Sequence, residues 1–429
     1  MKIAVFGMGK IGLPLAVQFS RKGHEVIGVD VNSAVVDVVN AGIEPFPGEA
    51  HLAEYLAEAV ASGCLSATTD ASEAVTGSQA TVVAVPLFVD GDANPDFSAI
   101  DAVTAAIGDS VSAGALVSFE TTLPVGTTRD RIAPELARRS GLVVGEEVHL
   151  VFSPERVLTG RVFADLRRYP KLVGGVSAAS EDAGVAFYEA VLDFDERPDL
   201  AKPNGVWRMG TADAAEMAKL AETTYRDVNI ALANQFALYA EKTGLDVQAV
   251  IEACNSQPYS HIHQPGVAVG GHCIPVYPRL YLWGDAEATV VRAAREANAA
   301  MPAAVAARAG REAGGLAGKT VLILGAAYRG GVKETAFSGV FPLRDALEDL
   351  GATVVVHDPL YAPGELEDLG LAPYRQGEAC DVAIVQADHA EYRDWRYPWR
   401  PSPEFVIDGR VVLKADQWPG VRVLTIGRP

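Results

Sequence analysis

Residues 2–30 read "KIAVFGMGKIGLPLAVQFSRKGHEVIGVD", and this stretch decides the fold. Lys2–Phe6 is an apolar run of strand length. Gly7, Gly9 and Gly12 follow at GxGxxG spacing, where a helical pattern opens. His24–Val29 reads as a second strand, with Asp30 at its tip. Each part has a physical use. Gly7 permits a tight turn, Gly9 lets a pyrophosphate approach the backbone, and Gly12 lets the helix lie on the strand. The N–H groups at the helix start, with Lys10 and Ile11 in the turn, favour phosphate. Asp30 would accept from ribose hydroxyls and repel a 2′-phosphate, which points to NAD rather than NADP. A glycine-rich turn without a ligand is the competing reading. The strand before it, the helix after it and the acid beyond weigh against that reading.

The α/β rhythm continues outward. "ATVVAVP" (80–86) brings a strand to Val85 and Pro86. "ALVSFETTLPVGTT" (115–128) brings another to Glu120, Thr121 and Thr122. "HLVFSPERVLTGR" (149–161) ends at Ser153, Pro154 and Glu155, followed by Arg156 and Val157. Loops at the carboxyl ends of parallel strands are where open α/β sheets bind ligands. An acid there is a helix cap, a salt-bridge partner or a general base.

Residues 211–244 carry no internal glycine or proline and predict one long helix, a spine between two domains. Asp213 with Glu216 reads as a capping pair and Gly244 as the stop. Met217, Leu220, Ala221, Thr224 and Val228 recur at helical spacing, as core or subunit interface. Lys219 and Thr223 stand one turn apart. Taken alone, Lys219 reads most simply as a solvated lysine paired with Glu222 or Glu216. "CNSQPYSHIHQPGVAVGGHCIPVYPRLYLWG" (254–284) follows, with Cys273 between glycines and prolines. Such a loop suits a reactive thiol or a buried structural cysteine. His261, His263, His272 and Cys273 lack an ordered set of ligands and second-shell carboxylates, so no metal is expected. Residues 300–318, rich in alanine and glycine, carry the chain across to "KTVLILGAAYRGGVKETAFSGVFPLRDALEDLGATVVVHDP" (319–359). That segment is again strand, glycine loop, helix, strand, without GxGxxG spacing. Arg329 and Lys333 sit in its loop, fit for a phosphate, so a second nucleotide held through its diphosphate is the natural expectation.

Composition bounds the rest. A net charge of −19 excludes the basic footprint of a nucleic-acid or anionic-membrane partner. No window is long and apolar enough for a membrane span. Cys64, Cys254, Cys273 and Cys380 are far apart, without a CxxC pair, so a disulfide framework is not suggested and a cytoplasmic, reducing compartment is the default.

The glycine fingerprint, lysine helix, cysteine loop and second α/β segment together resemble the UDP-glucose/GDP-mannose dehydrogenase family, nearly end to end. "PFPGE" (45–49), "SPERVL" (153–158) and "PGVAVGGHCIP" (265–275) look most like its UDP-N-acetylmannosamine dehydrogenase branch. The resemblance implies an α/β fold with two Rossmann-like doubly wound domains joined by a long central helix. Its parts would be an NAD-binding domain (1–200), a central helical domain (201–305) and a UDP-binding domain (306–429). It implies NAD-dependent oxidation of a UDP-sugar C6 alcohol to a carboxylate, and a homodimer formed through the long helix. By resemblance Cys273 is the nucleophile, Lys219 stabilises an oxyanion, Glu155 does acid–base work, Thr122 positions a water or hydroxyl, and Thr223 joins the catalytic set. Glu155, Arg156, Val157, Lys219, Gly266, Gly270, Tyr328 and Arg329 would meet the sugar nucleotide. The chain departs from the family pattern at Thr223, usually Asn, and at Tyr277, usually Asp. Tyr259 stands at a usual Arg, Arg329 at a usual Lys, and "AFSG" (336–339) at Arg-x-Ser-Pro. UDP-glucose oxidation, a two-electron dehydrogenase with Cys273 idle, and a non-catalytic binding protein remain alternatives.

Overall fold

Ile3, Ala4, Val5 and Phe6 are all buried, which lets β1 (Lys2–Phe6) lie inside a parallel sheet covered on both faces. In the computed structural model, residues 1–429 are described except 91–92, 376, 394–402, 415–417 and 419. They form two compact units, Met1–Ala221 and Glu222–Pro429.

In the first unit β1 is joined by β2 (Glu25–Val29), β3 (Leu65–Thr68) and β4 (Ala80–Val83). A small antiparallel pair, β5 (Phe88–Val89) with β6 (Pro95–Asp96), stands apart. Then follow β7 (Leu116–Phe119), β8 (His149–Phe152), β9 (Lys171–Gly175) and β10 (Val206–Arg208). The sheet order is β10-β9-β8-β7-β4-β1-β2-β3. Its pairs are parallel except β8 with β9. The chain winds outward from β1 to β3, then crosses to β4 and winds the other way. The switch point lies between β1 and β4, where such sheets open a crevice.

The second unit repeats this plan with β11 (Thr320–Leu324), β12 (Thr353–His357), β13 (Val382–Val385), β14 (Phe405–Asp408) and β15 (Arg422–Thr425). The order is β12-β11-β13-β14-β15, all parallel. The two glycine turns match in detail. The Gly7 N–H donates to the Val29 carbonyl at 2.8 Å, and that of Gly325 to the His357 carbonyl at 2.7 Å. Both glycines have positive φ, 90° and 107°, which disfavours any other residue there.

The predicted spine is one helix, Ala212–Thr243, of 32 residues, about 48 Å long. The boundary between the units falls within it. Gly244 terminates it in the left-handed region at φ 72°, as expected. The expected cap is different. Thr211 Oγ1 accepts from the Ala214 N–H at 3.2 Å. Asp213 pairs with Arg129. Glu216, fully buried, accepts from the N–H groups of Gly126 (2.6 Å) and Thr128 (2.9 Å) and from the Thr128 hydroxyl (2.6 Å). A tertiary anchor for the 124–128 turn displaced the local cap. Burial pushes the Glu216 carboxyl up to about 7. The alanine-rich crossing is helical through much of its length, inside Thr289–Glu312 and across Pro302; alanine is the best helix former. No helix among the described residues is long and apolar enough to cross a membrane.

Candidate active site

The loop after β1 is shaped by what its glycines lack. A Cβ on Gly12 would lie 1.9 Å from the Gly7 carbonyl oxygen, so the helix Gly12–Arg21 can sit on the turn only with glycine there. A Cβ on Gly9 would meet nothing within 4 Å. The backbone at Gly9 is therefore open to a ligand, at the start of a helix whose first N–H groups have no partner within the helix. Lys10 is exposed and Ile11 packs partly against the core. Asp30 Oδ2 accepts from the Met8 N–H and Oδ1 from the Asn32 N–H, each at 2.9 Å. A carboxylate has about four acceptor sites, so capacity remains for ribose hydroxyls. Across the switch point the Thr121 hydroxyl donates to the Val85 carbonyl at 2.5 Å, tying the loop after β7 to Val85 and Pro86. Thr122 is buried beside it. These residues fit a dinucleotide.

A buried cluster lies at the ends of β7, β8 and β9. Lys171 Nζ donates to Glu120 Oε2 at 2.6 Å and to Glu155 Oε2 at 2.9 Å. The Tyr188 hydroxyl donates to Glu120 Oε1 at 2.7 Å. Glu155 Oε1 accepts from the N–H groups of Arg156 (2.6 Å) and Val157 (3.2 Å). Lys219, 7% exposed, donates to the Glu155 backbone carbonyl at 2.5 Å. It is thus no solvated lysine of the helix face. Burial pushes the Glu120 carboxyl up to about 7 despite Lys171. Burial pushes Glu155 upward too, but Lys171 and the Arg156 N–H outweigh it and hold that carboxyl below its ordinary range. Glu49 of "PFPGE" accepts from the N–H groups of Gly160 (2.5 Å) and Val162 (2.7 Å), fixing the loop beyond Glu155. The Arg156 guanidinium donates to the Pro170 carbonyl at 3.3 Å, and Val157 packs on the core. Sequence reading found Glu120 and Glu155 and missed Lys171 and Tyr188. The available signal was a lysine opening an apolar strand, "KLVGG" (171–175).

In the second unit Cys273 is an exposed free thiol. Its Sγ donates to the Tyr277 hydroxyl at 3.7 Å, and the Tyr277 N–H donates to the Cys273 carbonyl at 2.9 Å as the helix Tyr277–Gly284 begins. The glycines before it serve packing more than openness. A Cβ on Gly270 would lie 2.6 Å from Tyr328 Cβ, and one on Gly271 3.0 Å from the Tyr328 ring. The Gly271 N–H donates to the Ala336 carbonyl at 2.9 Å, and His272 pairs with Glu334 at 2.6 Å. Tyr328 and the "AFSG" segment thus clamp the cysteine loop, where space for a sugar beside Gly270 was expected. The Gly266 N–H donates to Asn234 Oδ1 at 2.9 Å, which ties the loop's start to the spine helix. Thr223 is buried on that helix. Arg329 is half-buried against Tyr328, Lys333 pairs with Glu365 at 2.5 Å, and Tyr259 is exposed. Sequence reading also missed Asp358, which accepts from the N–H groups of Ala326 (2.8 Å) and Ala327 (3.0 Å), and Arg410, which donates to the Tyr328 carbonyl at 2.7 Å. Among the described residues no cluster of three or more His, Cys, Asp or Glu is placed to hold a metal.

Three models of one family match along the chain in order. They are the UDP-glucose/GDP-mannose dehydrogenase family NAD binding domain over residues 1–192, its central domain over 213–300 and its UDP binding domain over 322–415. The chain belongs to this family. A UDP-N-acetyl-D-mannosamine dehydrogenase of Pyrococcus horikoshii is 33% identical over 422 residues, 96% of each chain. The solved UDP-D-ManNAc dehydrogenase of Pyrococcus horikoshii matches with TM-score 0.86 at 32% identity, covering 100% of this chain and 99% of that one. A UDP-glucose dehydrogenase from Pyrobaculum islandicum matches with TM-score 0.85 at 26% identity, covering 100% and 98%.

As a UDP-glucose/GDP-mannose dehydrogenase family member, the chain is an NAD-dependent oxidoreductase with a UDP-binding domain. The open backbone at Gly9 and the Asp30 carboxylate are what that cofactor requires. Asp30→Ala removes the acceptor for the ribose and the charge that repels a 2′-phosphate. The expected result is a fall of at least tenfold in the ratio of kcat/KM for NAD to that for NADP. Equal use of both cofactors by the unaltered protein would contradict this role for Asp30.

Proposed function

We propose that this protein oxidises the C6 alcohol of a UDP-N-acetylhexosamine, UDP-ManNAc being favoured, to the uronate in two steps that together remove four electrons. The observation that carries the reading is Cys273, an exposed thiol on a loop clamped by Tyr328. The similarity to the UDP-N-acetyl-D-mannosamine dehydrogenase of Pyrococcus horikoshii supports the choice of sugar.

NAD, when bound, accepts a hydride in each oxidation. The chain's own residues do the rest. Glu155 takes the proton as the C6 alcohol becomes an aldehyde. Cys273 adds to that aldehyde through sulfur, giving a thiohemiacetal. The second oxidation removes a hydride from C6 and a proton from the hydroxyl, and leaves a thioester. Water, activated by Glu155 and placed by Thr122, adds to the thioester and expels the thiol, giving the carboxylate. Lys219 stabilises the oxyanion at each stage, and Thr223 adds a hydroxyl. Arg156, Val157, Gly266, Tyr328 and Arg329 would meet the sugar nucleotide, with Arg329 on the diphosphate, while Gly270 serves the packing of Tyr328. In this reading residues 1–200, 201–305 and 306–429 act as NAD-binding, central and UDP-binding domains, in the cytoplasm.

The test is a panel of nucleotide sugars followed by NAD reduction and uronate analysis. UDP-ManNAc should give the highest kcat/KM; a preference for UDP-glucose would replace the sugar and keep the chemistry.

A homodimer through the spine helix belongs to the same proposal. Tyr225, Leu232, Phe236 and Tyr239 recur along one face of that helix and are 56%, 47%, 37% and 66% exposed, an apolar stripe of the kind that two copies bury. Light scattering should give a dimer, and the double variant Leu232→Glu, Tyr239→Glu a monomer. A monomeric unaltered protein would refute the dimer.

A further inference from the structure

Two carboxylates of the first unit share one buried ammonium. The Lys171 side chain is 4% exposed, that of Glu120 0% and that of Glu155 9%. Glu120 is anchored on its far side by the Tyr188 hydroxyl, itself 2.7 Å from the Ser118 hydroxyl. Glu155 is fixed at both oxygens, Oε2 by Lys171 and Oε1 by the N–H groups of Arg156 and Val157. Its carboxylate plane therefore has no free rotation. The charged and titratable groups acting on it are Lys171 from β9, Glu120 from the end of β7, and Lys219 from the spine helix, which binds its backbone carbonyl; Tyr188, from the helix Ala178–Val191, meets Glu120 and lies under the Lys171 ammonium.

We propose that Lys171 is a positioning residue, which aims the Glu155 carboxylate and keeps it in its anionic, proton-accepting form, while Glu120 and Tyr188 anchor the ammonium. The inference rests on the acid–base role proposed for Glu155. A buried carboxylate without a cation takes up a proton rather than remain charged. A buried lysine held by one partner alone could turn away from Glu155; the Glu120 and Tyr188 contacts prevent that. The opposite directions in which Glu120 and Glu155 titrate agree with this division of labour.

The experiment is the pH dependence of kcat/KM for the unaltered protein, Lys171→Met, Lys171→Arg and Glu155→Gln. Loss of the cation raises the pKa of Glu155, so the acid limb of the Lys171→Met profile should move to higher pH, by about 1–3 units. Activity lost at neutral pH should return in alkali. Lys171→Arg, which keeps the charge, should restore the limb. If Lys171→Met does not fold, the double variant Lys171→Met, Glu120→Gln removes the lysine with one of its two carboxylates, and the limb should still move upward. A uniform loss with an unmoved limb overturns the role of Lys171, provided that Glu155→Gln is inactive. Full activity of Glu155→Gln overturns the acid–base reading itself, and the two failures are thereby distinct.

Discussion

Replacing Cys273 by alanine is expected to abolish uronate formation while leaving NAD binding intact. The thiol is the group that holds C6 between the two oxidations in the proposed chemistry. An alanine cannot form the thiohemiacetal, so the second oxidation loses its substrate. Removing an enzyme nucleophile typically costs several orders of magnitude, up to roughly 10⁶ in kcat. The loop itself should survive the change. It is held mainly by Gly271 on the Ala336 carbonyl and by the packing of Gly270 and Gly271 against Tyr328, the sulfur adding one long contact to the Tyr277 hydroxyl. NAD titration should therefore match the unaltered protein, since Gly7, Gly9, Gly12 and Asp30 lie on other elements. Normal uronate production by Cys273→Ala would remove the covalent steps from this chain.

Lys219→Ala should be the next most damaging change, and more damaging than Tyr277→Phe. Lys219 is a buried cation that donates to the Glu155 carbonyl, and it is the charge assigned to the oxyanion. Loss of one oxyanion donor costs roughly 10²–10³ in kcat. By the resemblance drawn from sequence, Tyr277 replaces an acid, and a phenol is too weak a base to stand in for a carboxylate. Its hydroxyl lies 3.7 Å from Cys273 Sγ, so it can still orient the thiol. Removing one such hydrogen bond should cost no more than about 1–3 kcal/mol. The comparison of kcat/KM for the two variants decides the matter. A larger loss from Tyr277→Phe would mean that the substitution at 277 has moved the proton chemistry onto that residue.

What could be read from sequence followed from the range of the forces involved. The turn from Gly7 to Gly12 and the acid at Asp30 are set by local sterics and nearby hydrogen bonds, so their meaning is written within one strand–turn–helix unit. The same holds for Gly244 as the end of the spine. Glu216 was misread because its spacing from Asp213 imitates a cap, whereas its partners Gly126 and Thr128 come from a distant turn. Lys171 and Tyr188 escaped for the same reason: their bonds to Glu120 and Glu155 cross between strands and a helix far apart in the chain. Gly270 carried a true signal, close approach, but the approaching group is Tyr328 from another loop of the same unit.

The most direct measurement is the number of NADH formed per molecule of UDP-ManNAc, with the sugar limiting and the reaction run to completion. Two NADH and one uronate per sugar are predicted. One NADH with an aldehyde product, or none from any nucleotide sugar of the panel, would contradict the four-electron oxidation through Cys273.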